Sequence, residues 1–290
     1  MAIMRYFVNL IIYLSFVMGL FVVGCNKKEQ PIWEKVKISD LADSTAQGKK
    51  QVKMLKAVNL DVYIFEIPAM NIRKLNKLWQ ILTPQPIKFN SYDAFTKNGF
   101  RIGFGRLKAL KTASDLLILA NSKRVYTNST VFFSKQSSDL VVRIVGRRNT
   151  IRFISSGGFA EKVTVDPGRM VLRLSAERIP GARGVCNLLV RPVFTNLQRN
   201  AIPRMNQWLK QQEFYFPPIT FSVKLSPGDF VLLMPQKYTS DTSELAGLFC
   251  NQYGSVFLNS DKIANPDKPV SMQRKPAVRL LMFVCTAIRD

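Results

Sequence analysis

The chain contains no histidine. Histidine is the side chain whose ordinary pKa lies closest to neutrality, and it is both the usual base of nucleophilic triads and the commonest metal ligand. Cysteine is also scarce, and the four cysteines include no CxxC pair, so the sequence offers no Cys/His zinc site. We therefore expect no metal, no cofactor and no enzymatic activity.

Acidic residues are few relative to basic ones. The 290 residues include 19 Asp and Glu against 42 Lys and Arg, which gives a formal net charge of +23. Carboxylates such as Glu161 and Asp166 occur singly, and no spacing places two of them together for general acid–base catalysis. Apolar residues make up 47% of the chain, which is enough for a packed core.

The N-terminus has the pattern of an export signal. Arg5 precedes an apolar run over residues 6–24, and the run ends in Val-Val-Gly directly before Cys25. This ending resembles a bacterial lipobox, which implies cleavage before Cys25, a diacylglyceryl group on its sulfur and an acyl chain such as palmitate on the new N-terminus. We thus expect residues 1–24 to be a lipoprotein signal peptide and acylated Cys25 to bind membrane lipid stably.

An uncleaved membrane helix is the alternative, because the apolar run is nearly long enough to span a bilayer. Lys27 and Lys28 would then lie on the exported side, against the positive-inside rule. The bulk of the chain is exported in both cases. Asn26 stands where enteric lipoproteins kept in the inner membrane have aspartate, so we expect a lipid-anchored protein of the cell envelope, in the outer membrane and facing the periplasm.

The rest of the sequence divides into three segments. Residues 25–56 are polar, lysine-rich and aperiodic, which is typical of a flexible tether. Residues 57–120 show a strand–helix–strand–helix pattern, with Pro68 ending the first strand and a second helix predicted over about 106–119. The predicted fold class is α+β: this small N-terminal module is followed by a larger antiparallel β-domain over residues 121–290.

The β-domain is predicted from short runs rich in Val, Ile, Leu, Phe and Thr, separated by turn residues. These runs are 124–133, 140–145, 150–155, 169–179, 185–194, 219–225, 229–234, 255–258 and 278–288. Residues 201–213 interrupt the pattern with a short predicted helix.

Three cysteines remain after the lipidated one. Cys186, Cys250 and Cys285 all lie in apolar, strand-like surroundings. Two readings stay open: one pair forms a disulfide in an oxidising envelope, or the three are small buried hydrophobic residues.

Arginine is concentrated between residues 143 and 191. We select six arginines as candidate anion-binding residues: Arg143, Arg147, Arg148, Arg152, Arg169 and Arg173. If they share a face, that face would bind phosphate-rich or carboxylate-rich polymers or lipid headgroups. The alternative is a generally basic, solvated surface. Export argues against intracellular nucleic acid as a partner.

The order of motifs over about residues 110–290 resembles the C-terminal domain of bacterial secretins, the ring-forming outer-membrane channels of type II and type III secretion systems. The segments that carry the resemblance are 117–128, 165–174, 187–192, 221–233, 244–249 and 279–288. The chain is also similar to uncharacterised, secretin-related envelope proteins of planctomycete-type bacteria. The Val-Gly-Gly-Leu and Pro-Leu-Leu-Gly-Asp gate signatures of secretins are absent, so no gate or pore residue is carried over.

The sequence predicts a non-enzymatic, secretin-related envelope lipoprotein that acts as an assembly or export-apparatus component. The expected partners are membrane lipid through Cys25 and either further copies of the chain or secretion-system proteins. The alternative is a monomeric binding module for anionic envelope polymers or lipid headgroups.

Overall fold

The computed structural model describes residues 56–133, 136–196, 213–259 and 273–289. The predicted signal peptide, Cys25, the tether up to residue 55 and most of the predicted helix over 201–213 lie outside the described residues. All described residues belong to one compact unit.

The described residues form two antiparallel sheets and a hairpin. In chain order the strands are β1 (Ala57–Pro68), β2 (Lys88–Phe89), β3 (Phe100–Gly105), β4 (Lys123–Phe133), β5 (Ser138–Val145), β6 (Asn149–Ile154), β7 (Ala160–Val165), β8 (Gly168–Arg178), β9 (Cys186–Asn196), β10 (Phe214–Tyr215), β11 (Phe221–Leu225), β12 (Phe230–Pro235), β13 (Asn251–Asn259) and β14 (Gln273–Arg289). The first sheet has the order β3-β12-β14-β1-β4, with β13 also pairing with β14. The second has the order β2-β11-β9-β8-β5, with β10 pairing with β9, and β6 pairs with β7.

Helices are short and few among the described residues. They are a 3-10 segment (Ala69–Lys77) that continues into α1 (Leu78–Ile81), then α2 (Tyr92–Lys97), α3 (Leu107–Leu119), a 3-10 turn (Pro217–Ile219) and α4 (Leu245–Cys250). The side chain of Ser91 caps α2 by accepting a hydrogen bond from the Ala94 amide at 3.2 Å. None of these helices is both long and apolar enough to cross a membrane.

The hydrophobic core has two layers. Alternate residues of β1 and β14, such as Val62 and Phe283, meet residues of the second sheet such as Leu172 and Val190 in one buried cluster. The opposite face of the first sheet is covered by the 3-10 segment, α1 and α3, which bury Leu78 and other apolar side chains against it. The first sheet is therefore buried on both faces, and its strands are apolar almost throughout.

The predicted antiparallel β-sheet is confirmed, and α3 lies where the second helix was predicted. The arrangement of modules is not confirmed. β1 pairs with β14 over its whole length, from Ala57 opposite Arg289 to Pro68 opposite Ala277, and β3 pairs with β12. Residues 57–120 therefore contribute strands to the same sheet as the C-terminus. Hydrophobic periodicity identifies strands but not their partners, which explains why sequence order suggested a separate module.

Candidate functional site

Arg143 points into the protein. A β-bulge between Val141 and Arg143 changes the side-chain alternation of β5 against β8. The Nη1 atom of Arg143 donates to the backbone oxygen of Asn251 at 3.0 Å and, at longer range, to the Gly247 and Leu248 carbonyls at the end of α4. Burial lowers the pKa of Arg143, and the neighbouring charge of Arg279 adds to this. Arg143 thus donates to backbone carbonyls at the C-terminal end of α4, where carbonyls have no partner within the helix.

Arg152 forms an ion pair and hydrogen bonds with the loop before α4. Arg152 pairs with Asp241, and its Nε donates to the Ser243 hydroxyl at 2.9 Å. The pKa of Asp241 is lowered mainly by hydrogen bonds from Ser243 and, to a smaller extent, by the charge of Arg152. These contacts attach the loop before α4 to the β6–β7 hairpin.

Arg173 is the centre of an ion-pair network on the outer side of the second sheet. Its Nε and Nη2 atoms donate to the two carboxylate oxygens of Asp139 at 2.7 and 2.8 Å, and its Nη1 and Nη2 atoms donate to those of Glu213 at 2.6 and 3.0 Å. Tyr215 donates its hydroxyl proton to Glu213 at 3.0 Å. The Arg173 guanidinium and then Tyr215 hold the pKa of Glu213 below its ordinary value. The Arg173 side chain is only 17% exposed, and because its Nη1 also donates to the Tyr215 hydroxyl at 3.0 Å, all five of its N–H groups have partners.

The remaining three candidate arginines are open to ligands. Arg147 and Arg148 are exposed in the turn between β5 and β6, where the Arg148 Nε lies 3.9 Å from the Asp166 carboxylate. Arg169 is half-buried on β8. Since Arg143, Arg152 and Arg173 already have intramolecular partners, the structure does not present the six arginines as one free cationic surface.

A buried ion pair within the first sheet was not predicted from the sequence. Glu66 on β1 is fully buried, and its Oε1 lies 3.4 Å from the Nη2 of Arg279 on β14. The Nη1 of Arg279 donates to the Val142 carbonyl of β5 at 2.9 Å, which joins the first sheet to the second. A lone glutamate within the apolar strand β1 was the available signal, because a buried carboxylate needs a charged or hydrogen-bonding partner.

A cleft lined by basic residues was also not predicted from the sequence. It has a volume of about 850 Å³ and is lined in part by Arg106, Lys108 and Lys224. These cations come from α3 and its preceding residue and from β11, which are far apart in the sequence. Within the described parts of the chain, no group of three or more cysteine or acidic side chains is placed to hold a metal ion.

The two sheets end on edge strands of different character. Among the described residues, β4 pairs with β1 alone and β5 pairs with β8 alone. From Val125 to Phe133, β4 contains no charged residue and no proline, and it exposes Tyr126, Val131 and Phe133. An edge of this kind presents unpaired backbone groups to another strand.

Comparison with known proteins gave no match to a family model and no match to a curated protein sequence. Among solved structures, the chain is weakly similar to the Salmonella SPI-1 type III secretion injectisome secretin InvG, with 11% identity, a TM-score of 0.22, and 81% of this chain and 66% of that chain covered. It is also weakly similar to a chain of the ETEC pilotin–secretin AspS–GspD complex, with 13% identity, a TM-score of 0.21, and 81% of this chain and 50% of that chain covered. The chain thus spans between half and two thirds of the length of these chains, and no family assignment follows from similarity at this level.

Proposed function

We propose that the protein is a non-enzymatic lipoprotein of the bacterial cell envelope that works by assembling with other copies of itself through the edge of β4. The role in an export apparatus comes from the resemblance of its sequence motifs to secretins. The observation that supports assembly is the character of β4, an 11-residue edge strand whose segment 125–133 has no charge and no proline. Natural edge strands are usually protected from pairing by charges, prolines, bulges or short length.

A second copy of the chain is the occupant that fits this edge. Two antiparallel β4 strands centred on Ser129 would place Thr127 of each copy opposite Val131 of the other, so that exposed β-branched side chains face one another. Such a pairing is two-fold symmetric, as most homodimer interfaces are. It also places Lys123 of each copy at opposite ends of the interface, where the like charges are well separated.

The anchor favours such weak self-association. Acylated Cys25 would confine all copies to one membrane surface, and the tether over residues 25–56 would let the folded parts meet. Confinement raises the effective concentration of each edge for the next copy. A net charge of +23 opposes association of free molecules, so we expect assembly to be stronger on a membrane than in solution.

The first experiment is the native mass of the mature protein extracted in mild detergent, with negative-stain images of the same sample. Dimers are expected, with a population that rises with protein concentration. A monomer at every concentration, both in detergent and on vesicles, would contradict assembly and favour the monomeric binding module.

The anchor is tested separately by Cys25→Ser. This variant should accumulate as an uncleaved precursor that carries no acyl chain, and mass spectrometry of the N-terminal peptide would detect both features. Normal processing and acylation of the variant would contradict the lipoprotein assignment without bearing on assembly through β4.

A further inference from the structure

Two cysteines from different sheets lie side by side in the core. Cys186 begins β9 in the second sheet, and Cys285 lies in β14 of the first sheet. Both side chains are fully buried, and their Sγ atoms are 3.9 Å apart although the residues are 99 positions apart in the sequence. The structure thus selects one of the three pairs that the cysteines Cys186, Cys250 and Cys285 allow.

The turn between β11 and β12 fixes the backbone around both cysteines. Cys186 pairs with Leu225, the last residue of β11. Directly after it, the amide of Gly228 donates to the Cys285 carbonyl at 2.7 Å, and the Cys285 amide donates to the Asp229 carbonyl at 3.0 Å. Gly228 has a φ of +88°, which is a conformation that glycine adopts readily. The turn that leads from β11 in the second sheet to β12 in the first therefore holds the backbones of Cys186 and Cys285 close together.

The two thiols are electronically unequal. The hydrogen bond from the Cys285 thiol lowers the pKa of Cys186, and the same bond together with burial raises the pKa of Cys285. Cys250 is also buried, but burial raises its pKa to about 12, and it has no sulfur partner among the described residues.

We propose that Cys186 and Cys285 form a disulfide that links the two sheets. A disulfide bond has a length of about 2 Å, so each sulfur would move by roughly 1 Å from its position in the dithiol. The inference rests on the proposed envelope location for its oxidant, because disulfides persist in oxidising compartments.

The oxidant is either the disulfide of a low-molecular-weight thiol or the active disulfide of a thiol–disulfide oxidoreductase. The thiolate of one of the two cysteines attacks it, forms a mixed disulfide and releases the first thiol of the oxidant. The other cysteine then gives up its proton, attacks the sulfur of the first and releases the second thiol, so two cysteines are oxidised while one disulfide is reduced to two thiols. Both sulfurs are buried in the folded chain, so the exchange takes place before the sheets close.

The pairing is tested on full-length protein extracted from cells. The protein is denatured without reductant in N-ethylmaleimide, digested with trypsin and analysed by mass spectrometry. We expect the tryptic peptides 184–199 and 280–289 to be linked, with Cys250 alkylated. Trypsin leaves the first peptide whole because Pro192 follows Arg191. Alkylation of both Cys186 and Cys285, or a link from either to Cys250, would count against the pairing in cells.

A second arm separates the pairing from the location. The purified full-length chain is unfolded and refolded in a buffer of oxidised and reduced glutathione, with Cys250→Ser as the matched control that keeps both partners. The link should form in both proteins, and reduction should lower the melting temperature by about 5 to 15 °C. A link in this buffer but not in cells would support the disulfide and contradict the oxidising location. Absence of the link in both arms would overturn the proposal.

Discussion

β4 and β5 each form one edge of a sheet, and they are protected from further strand pairing to very different degrees. β5 carries Asp139, whose carboxylate is bound by Arg173 of the neighbouring strand, and a bulge interrupts its pairing. β4 has its two charged residues, Lys123 and Arg124, at one end only, and the bulge in its pairing with β1 lies at that same end, so the rest of the strand is regular and uncharged. A bulge and a charge make an edge a poor template for a further strand, whereas a long uncharged edge is a good one. The difference favours β4 over β5 as the edge for the proposed assembly.

The largest expected effect comes from removing the arginine that stabilises the β5 side. Arg173→Ala leaves Glu213, whose side chain is only 12% exposed, without its charged partner. Removing one member of such a pair costs about 3 kcal/mol or more of unfolding free energy. Urea denaturation at pH 7 would measure this loss.

The matched control is an arginine on the other edge. Arg124→Ala removes an exposed guanidinium that lies 5.9 Å from the centre of the Tyr63 ring. Its cost should be about 0.5 to 1 kcal/mol. Equal losses in the two variants would show that the ion-pair network does not distinguish the edges.

Acid should weaken the β5 side selectively. The pKa of Glu213 is lowered in the folded state, so its contribution to stability is present above its ordinary pKa and is lost as the pH falls through the folded value. Glu213→Gln should therefore cost about 2 kcal/mol at neutral pH and nothing once the wild-type carboxyl is protonated. Urea unfolding of both proteins at pH 7, 5 and 3 checks this.

The exposed carboxylate of Asp93, which pairs with Lys97 on α2, provides the control. Asp93→Asn should show a much smaller and nearly constant difference, because exposed pairs contribute little. A gap between wild type and Glu213→Gln that widened toward acid pH would have the wrong sign for this mechanism.

The sharpest comparison of the edges uses one substitution at two matched valines. Val131 on β4 is 49% exposed and Val141 on β5 is 43% exposed, so a lysine at either position can reach solvent. Val131→Lys should weaken self-association about tenfold, or ~1.4 kcal/mol, since a charge in the middle of an edge opposes strand pairing. Sedimentation equilibrium of the detergent-solubilised protein measures the constant.

Val141→Lys should leave the association constant unchanged. Weakening by both variants alike would point to general charge repulsion. Weakening by Val141→Lys alone would move the interface from β4 to β5.

Sequence patterns predicted strands and helices well because apolar residues recur with the period of each element where one of its faces is buried. The alternating run of β1 and the helical spacing of α3 both reflect burial on defined faces, and the structure has both elements. β7 was missed because its segment Ala-Glu-Lys-Val-Thr-Val is mostly exposed, and its apolar face consists of Val163 and Val165 alone. The partner of β1 was missed because pairing with β14 joins the two ends of the described chain, and periodicity contains no information on partners.

The candidate site was less predictable for a related reason. Arginine density in the sequence does not show which guanidinium has a partner, and Arg173 obtains Glu213 from a distant segment. Likewise, Cys186 and Cys285 become neighbours only through the crossing between the sheets. Sites that depend on tertiary contacts between single residues leave no local pattern.

The smallest expected effect concerns two basic doublets, one near each edge. Lys123 and Arg124 begin β4, and Arg147 and Arg148 follow β5; all four side chains are exposed. Arg143, Arg152 and Arg173 are bound internally, and Arg106 and Lys108 line a separate basic cleft. We therefore expect the positive charge to act on anionic membranes as a general property of the surface. Reversal of either doublet to glutamate should then reduce binding to anionic vesicles by a similar factor of about two to five. Flotation of vesicles with and without phosphatidylglycerol, at two salt concentrations, measures this factor. A loss confined to the doublet after β5 would support the specific anion-binding face that the sequence predicts.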